Sequence, residues 1–372
     1  MTISVSLAVE QLRRRVPGGI GTYTRGLLQG LGELPAVERP RLSLVASRPP
    51  PRSDPLTGFA LPVVASWLPG PLMTRAWDLG IARAGRGSDI VHAVSLAAPL
   101  PVPGTSLVVT VHDVAWIAMP EAYPKRGRRW HEGALRRAAA RAAAIIVPSE
   151  LTLQAVLAAG VGIAETMLTV VPEGSDHLGQ PDAAAADRLL AALGVRGPYM
   201  LTVSTLEPRK NLGRLVQAYA LARPRLPEPW PLVIVGPTGW GPSARNLDMA
   251  PGVVFAGPVD GAVLAAIYAG ARCCAYVPIV EGFGLPVVEA MAAGTPVLSS
   301  PVPSSAGASL EVSPTDVGAI AEGLVAVGCD EATRARLVAC GLKRAAELRW
   351  VDAARGHVAV WERVAGERRA VR

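Results

Sequence analysis

The chain has 372 residues, more than one hydrophobic core usually serves, so two domains of about 150 to 180 residues are the first expectation. Half of the residues are hydrophobic, yet no run approaches the roughly 20 consecutive apolar residues that cross a bilayer, so the sequence holds no candidate membrane-spanning helix. A formal charge of +7 at pH 7 favours anionic ligands (nucleotides, phosphorylated sugars, anionic lipid, nucleic acid) without choosing among them.

The opening "MTISVSLAVEQLRRR" puts its charges after a short apolar stretch, the reverse of a secretory signal, and reads as a first β-strand. "VPGGIGTYTRGLL" follows and leads into a helix expected to begin near Thr22. Its glycines, Gly18, Gly19 and Gly21, let the backbone approach a ligand, and the helix dipole favours negative charge there. A GxGxxG motif counted from Gly19 would need glycine where Thr24 stands, so this is no dinucleotide fingerprint; a glycine turn that only shapes the strand exit is the bland alternative.

Through the rest of the first half, "RLSLVAS", "DIVHAV", "SLVVTVHD", "AIIVPS" and "LTVVPEG" read as strands, "TYTRGLLQGLGEL" and "RRWHEGALRRAAARAAA" as helices. The Pro-rich stretch 49–71 reads as a loop or linker, with Pro69-Gly70-Pro71 its clearest breaker. His112 and Asp113 end the strand "SLVVTVHD", at the carboxyl edge where parallel sheets keep their ligands; a strand-end histidine can equally be structural. Beyond them Lys125, Arg126, Arg128, Arg129, Arg136, Arg137 and Arg141 outnumber Glu121 and Glu132. The stretch 125–141 is therefore a candidate for peripheral contact with an anionic membrane or an acidic acceptor, against the alternative of a solvated helix face. Nucleic acid is not expected, because no aromatic platforms are interleaved with the charges.

The domain change falls between Gly174 and Pro198, after which strand and helix alternate again: "PYMLTVS", "PLVIVG", "VVFAG", "CCAYVP" and "TPVLSS" read as strands. The expected division is 1–178, 190–348 and a C-terminal helix within 349–372 with apolar spacing at Val351, Ala354, Val358, Trp361 and Val364. Cys273, Cys274, Cys329 and Cys340 show neither CxxC spacing nor histidine clustering, so no metal site or disulfide framework is expected, and a reduced cytoplasmic protein fits. Arg209-Lys210 lies in the loop after "YMLTVS", where a cation pair suits a diphosphate. In "EGFGLPVVEAMAAGTPVLSS", Pro286 suits a first helical turn, with the N–H groups around Phe283, Gly284 and Leu285 facing out of the helix start. Glu281 precedes them and Glu289 lies about one turn inside, so two carboxylates bracket one polyhydroxyl ligand; Glu289 as a mere dipole-favoured acid is the structural alternative.

These residues resemble family-4 glycosyltransferases, from "GGIGTYTRGLL" through "VTVHD", "IIVPSE", "VVPEG" and "STLEPRKNL" to "EGFGLPVVEAMAAGTPV". The resemblance implies an α/β GT-B fold: two Rossmann-like domains facing across a cleft, the C-terminal helix crossing back to the N-terminal domain. It implies a retaining, metal-independent transfer without cofactor from a nucleoside diphosphate sugar, GDP-mannose first, to a glycan, lipid-linked or small-molecule acceptor. By position, Glu289 would hold the ribose hydroxyls and Glu281 the donor sugar, with amides near Phe283, Gly284 and Leu285 on sugar and phosphate. Arg209 and Lys210 would neutralise the diphosphate, Gly18, Gly19 and Gly21 approach it from the first domain, and His112, with Asp113 a weaker candidate, contact the transferred sugar. Thr205 stands where many relatives carry arginine, Ile279 replaces a frequent serine, and "SSPVPSSAGASLEVSPTD" is short and serine-rich. A catalytically silent nucleotide-sugar-binding protein is the alternative from another class; an epimerase is disfavoured by the E-x7-E arrangement.

Overall fold

The computed structural model describes residues 2–239 and 250–370. The chain divides into two compact units, one formed by Met1–Gly174 together with Trp350–Arg372 and the other by Ser175–Arg349.

The first unit is built on seven strands: β1 (Ser4–Ala8), β2 (Arg41–Ala46), β3 (Val63–Ala65), β4 (Ile90–Ala93), β5 (Ser106–Thr110), β6 (Ala144–Val147) and β7 (Leu168–Val170). Their order is β3-β2-β1-β4-β5-β6-β7, with every neighbouring pair parallel. Central strands such as "SVSLA" and "AIIV" are buried at every position, as expected when helices cover both faces of a parallel sheet. The order reverses between β1 and β4, and such a switch point is where an open α/β sheet leaves room for a ligand at its carboxyl edge.

The second unit repeats the plan with β8 (Met200–Val203), β9 (Leu232–Val235), β10 (Val253–Gly257), β11 (Cys273–Tyr276), β12 (Val297–Ser299) and β13 (Leu310–Glu311). The order is β10-β9-β8-β11-β12-β13, again parallel throughout, with the reversal between β8 and β11. The loop after β8 carries Arg209 and Lys210, and the turn after β11 carries Glu281. Adjacent strands at the switch point thus deliver both groups.

Three local expectations change. The first helix spans Gly18–Glu33 and so begins four residues earlier than Thr22; Gly18, Gly19 and Gly21 form its first turn, not a loop ahead of it. The stretch 49–71 is not wholly irregular. It contains the edge strand β3, and Pro69-Gly70-Pro71 starts the helix Gly70–Asp78 instead of breaking the chain, since a proline in the first turn forfeits no intrahelical bond. The basic helix runs Lys125–Arg141 and stops short of Ala144, where the chain enters β6.

The C-terminal helix, Trp350–Ala370, buries Trp350, His357, Trp361 and Val364 and packs against the first helix. Close approach of the two backbones depends on Gly30: a Cβ there would lie 2.1 Å from the carbonyl oxygen of Trp350. Gly30→Ala is therefore expected to lower stability by about 1–3 kcal/mol, as overpacking against backbone does. Gly32→Ala, where a Cβ meets nothing within 4 Å, is the control, expected to keep or slightly raise stability because alanine favours a helix over glycine. Denaturant midpoints of the two variants check this.

Candidate functional site

In the second unit, the chain leaves β8 and makes one short turn, Pro208–Lys210, before the helix Leu212–Ala222. Asn211 occupies the left-handed region, φ 60°, and its amide donates to the carbonyl oxygens of Val277 at 3.0 Å and Pro314 at 2.6 Å. The N–H of Ile279 donates to the carbonyl of Arg209 at 2.9 Å. Pinned in this way, the turn directs both of its cations at one carboxylate.

That carboxylate is Glu281. Its Oε2 accepts from the Tyr276 hydroxyl at 2.6 Å and from Arg209 Nη1 at 3.2 Å, and it is paired with Lys210 Nζ, which also donates to the Tyr276 hydroxyl at 2.6 Å. All three contacts fall on Oε2; among the described residues Oε1 takes no hydrogen bond. Arg209 is further paired through Nε with Glu207 at 2.6 Å, so among the described residues two cations meet two carboxylates in the cluster. Burial raises the pKa of the Glu281 carboxyl, but Lys210 and Arg209, with the hydrogen bonds from Lys210 and Tyr276, outweigh it and hold the group down to about 2. Burial and the neighbouring Arg209 lower the Lys210 ammonium against the opposing pull of Glu281 and Glu207, and burial beside Glu281 pushes the Tyr276 hydroxyl well up.

The turn after Glu281 enters the helix Leu285–Ala292 through Gly284, whose φ of 104° belongs to glycine. The amides of Phe283, Gly284 and Leu285 donate to no described residue, as befits a helix start. Their position is fixed from behind by the serine-rich segment: Ser304 donates its N–H to the Phe283 carbonyl at 3.0 Å and its hydroxyl to the Gly284 carbonyl at 2.9 Å. The Ser300 hydroxyl holds the Pro278 carbonyl at 2.8 Å. Glu289 lies in the second turn and is buried; its Oε1 is 2.8 Å from His177 Nε2, and its Oε2 accepts from the Tyr268 hydroxyl at 2.8 Å. Each oxygen so held keeps a second lone pair. The structure therefore gathers Arg209, Lys210 and Glu281 into one cluster, with Phe283, Gly284, Leu285 and Glu289 continuing from it along the chain.

The first unit holds the other predicted residues. Gly18 and Gly19 are exposed at the start of the first helix, and a Cβ at either would meet nothing within 4 Å; Gly21 is buried, its N–H bonded to the Pro17 carbonyl. His112, just past β5, has Nδ1 3.2 Å from Glu173 Oε1 and Nε2 2.9 Å from the Val94 carbonyl oxygen. Asp113 Oδ1 accepts the Ala115 N–H at 3.0 Å and closes a local turn. Sequence reasoning overlooked Tyr276, Glu207, His177, Tyr268 and Glu173. Tyr276 and Glu173 each stand at or just past a strand's carboxyl end, where polar residues merit suspicion; His177 follows "VVPEG" by three residues and Tyr268 lies inside a helix, and neither carries a local pattern of its own.

Comparison with known proteins adds the following. Residues 197–330 match the family described as Glycosyl transferases group 1, and residues 17–177 match Glycosyltransferase Family 4. The chain is 30% identical over 253 residues to O-antigen chain mannosyltransferase B of Escherichia coli, covering 65% of this chain and 66% of that protein. It is 32% identical over 212 residues to phosphatidyl-myo-inositol mannosyltransferase of Mycobacterium tuberculosis, covering 52% and 56%. The matched region thus spans just under two thirds of the first relative and little over half of the second. Among solved structures, Anabaena Alr3699/HepE in complex with UDP and glucose is similar in fold, with TM-score 0.72 and 18% identity over 97% of this chain and 99% of that one.

Because the Glu281 pKa is depressed from 4.5 to about 2, its ion pairs stabilise the fold above the ordinary value and are lost as pH falls through the lower one. Chemical denaturation between pH 5 and pH 2 is expected to show a shallower loss of stability in Glu281→Gln than in the natural chain. Equal slopes would mean that the carboxylate is not charged in the folded protein.

Proposed function

Since the chain belongs to the group 1 glycosyltransferases of family 4, with two Rossmann-like units of the GT-B class, we propose that it moves a hexosyl or deoxyhexosyl group from a nucleoside diphosphate sugar to a glycan, lipid-linked or small-molecule acceptor. GDP-mannose is the favoured donor, supported by the mannosyltransferases among its relatives. The observation that carries the reading is the Glu281 carboxylate, locked on Oε2 by Lys210, Arg209 and Tyr276, with no hydrogen bond to Oε1 among the described residues.

Oε1 of Glu281 accepts a donor-sugar hydroxyl, and Glu289, fixed by His177 and Tyr268, accepts the two vicinal hydroxyls of ribose, one on each oxygen. The diphosphate shares Arg209 and Lys210 with Glu207 and Glu281. The amides of Phe283, Gly284 and Leu285 at the helix start add to the attraction for its charge. Gly18, Gly19 and Gly21 take the donor contacts that the family resemblance implies, and His112, with Asp113 a weaker candidate, presents its ring to the transferred sugar.

The transfer proceeds with retention on one face of the sugar. As the bond from the anomeric carbon to the phosphate oxygen breaks, the acceptor oxygen bonds to that carbon and its proton passes to the departing phosphate. Paired cations and helix-end amides are the groups that stabilise the charge growing on the diphosphate, and no metal or enzymic nucleophile enters the step. Incubation with nucleotide sugars and an acceptor library is expected to give transfer that falls roughly a hundredfold or more in Lys210→Ala and in Glu281→Ala, the scale of losing a preorganised charge-stabilising group. Full turnover in both well-folded variants refutes the reading; calorimetric donor binding without transfer selects the silent binder. In a thermal-shift series with GDP, UDP, dTDP and ADP, the largest rise is expected with GDP.

A further part of the proposal concerns the membrane. On the helix Lys125–Arg141, Lys125, Arg126, Arg129, Arg136 and Arg141 are exposed, whereas Arg137 is bound to Asp78 and Arg128 is 3.6 Å from Glu132. Leu79 and Ile81, which follow Asp78 in the chain, are also exposed. Apolar side chains beside a cationic face suit peripheral contact with an anionic lipid surface. Sedimentation with phosphatidylglycerol vesicles is expected to fall with salt and in Arg126→Glu/Arg129→Glu; no sedimentation at low salt rejects this contact.

A further inference from the structure

His112 faces two groups that have no hydrogen to give. The Val94 carbonyl oxygen, 2.9 Å from Nε2, only accepts, and the Glu173 carboxylate, 3.2 Å from Nδ1, only accepts when ionised. A neutral imidazole has a single N–H, so one of these contacts would set lone pair against lone pair. The doubly protonated ring satisfies both. We infer that Glu173 is a positioning residue that keeps His112 an imidazolium with both N–H groups committed, so that His112 serves the transfer as a fixed positive charge and not as a proton carrier.

The surroundings agree, and the proton placements among them can be followed bond by bond. The Ala353 carbonyl accepts from His357 Nδ1 at 2.7 Å, which leaves His357 Nε2 as an acceptor in the neutral ring. The Tyr23 hydroxyl lies 2.6 Å from that nitrogen and donates to it. Tyr23 then accepts from the Thr110 hydroxyl at 2.9 Å, and Thr110 accepts from His92 Nε2 at 2.8 Å. The chain of bonds therefore runs one way, from His92 to the C-terminal helix, and is satisfied with His92 and His357 both neutral. Burial lowers both, His92 well below its ordinary value with help from His357 and His112, and His357 to about 4. Tyr23 holds the His112 ring edge-on, centroids 4.6 Å apart at 83°.

Of the charged or titratable groups facing His112, Glu173 and Asp113 favour its proton, His92 and His357 are neutral, and the Tyr23 hydroxyl is pushed up by burial. Burial lowers the His112 pKa, but the hydrogen bond and charge of Glu173, then the Val94 carbonyl and Asp113, outweigh it, and the net shift is upward from 6.5. Glu173 is 5% exposed and His112 18%, so the carboxylate is sealed while the ring remains within reach of a ligand. A cation there complements a departing diphosphate without needing to gain or lose a proton. With both N–H groups taken, His112 is unavailable as the base for the acceptor hydroxyl. Only this catalytic consequence rests on the glycosyl-transfer reading; the protonation itself does not.

The chain contains five histidines, few enough for each to be followed by nitrogen-15 NMR in the full-length protein. Expected is His112 carrying two protons at pH 7.5, with Glu173→Gln moving its titration down by about one unit or more, the effect of removing a close opposite charge. The alkaline limb of kcat/KM moves down by the same amount. A purely structural Glu173 would lower thermal stability and leave that limb in place. Since the folded-state pKa is raised, the pair stabilises fully below about 6.5 and its contribution fades as pH climbs through the raised value. A singly protonated His112 at pH 7.5 in the natural chain overturns the inference, including the case in which Glu173 holds the proton, and so does an unmoved titration in Glu173→Gln. Should that variant fail to fold, the natural chain's titration decides alone. An imidazolium in a protein that transfers no sugar would sink the function and leave this inference standing.

Discussion

A carboxylate can lie below a protein surface and stay charged only if its lost hydration is replaced, and Glu281 Oε2 does this with three donors at once: Lys210, Arg209 and the Tyr276 hydroxyl. The remainder of the second unit's site is arranged around that convergence. Lys210 and Arg209 reach it because Asn211 anchors their turn to the Val277 and Pro314 carbonyls. Tyr276 reaches it because β11 ends there, at the strand edge beside β8. Removing one partner would strand buried charge on the others.

Both units use the same topological solution, a parallel sheet whose order reverses beside its first strand. What differs is the chemistry placed at the carboxyl edge. Among its described residues the second unit presents two cations against two carboxylates, followed by a helix start whose amides donate to no described residue. The first presents His112 on its partners Glu173 and Val94, together with an exposed glycine-led helix start. A buried charge is met by an opposite charge in each, the economy expected where the desolvation of an unpaired ion would be prohibitive.

Much of this was legible in the residues. Alternation of β-type apolar runs with Ala/Leu-rich stretches marked β1, β2 and β4 to β12, because strands buried on both faces must be apolar throughout, whereas the two-residue β13 was not read. Arg209, Lys210, Glu281 and Glu289 were legible as a group because strand ends, proline at a helix start and paired acids each have a local physical reason. Less legible were features decided by distant contacts. The edge strand β3 hid in a Pro-rich stretch, since an edge position tolerates prolines nearby and its exposed valines show no core pattern. Tyr268 and His177 orient Glu289 from 21 and 112 residues away, and no local spacing announces such a pair. The serines after β12 looked like a shortened loop, whereas Ser300 holds the Pro278 carbonyl just before Glu281 and Ser304 braces the turn just after it.

The helix Trp350–Ala370 belongs with residues 1–174, so the second unit is one uninterrupted stretch set into the first. During synthesis the ribosome finishes residues 175–349 before the first unit has all its parts. The second sheet can close while Tyr23 still lacks His357 and Gly30 still lacks the backbone of Trp350. The unit that holds His112 is thus completed after the second one, and until then the face of its first helix that packs on Trp350 lacks its cover.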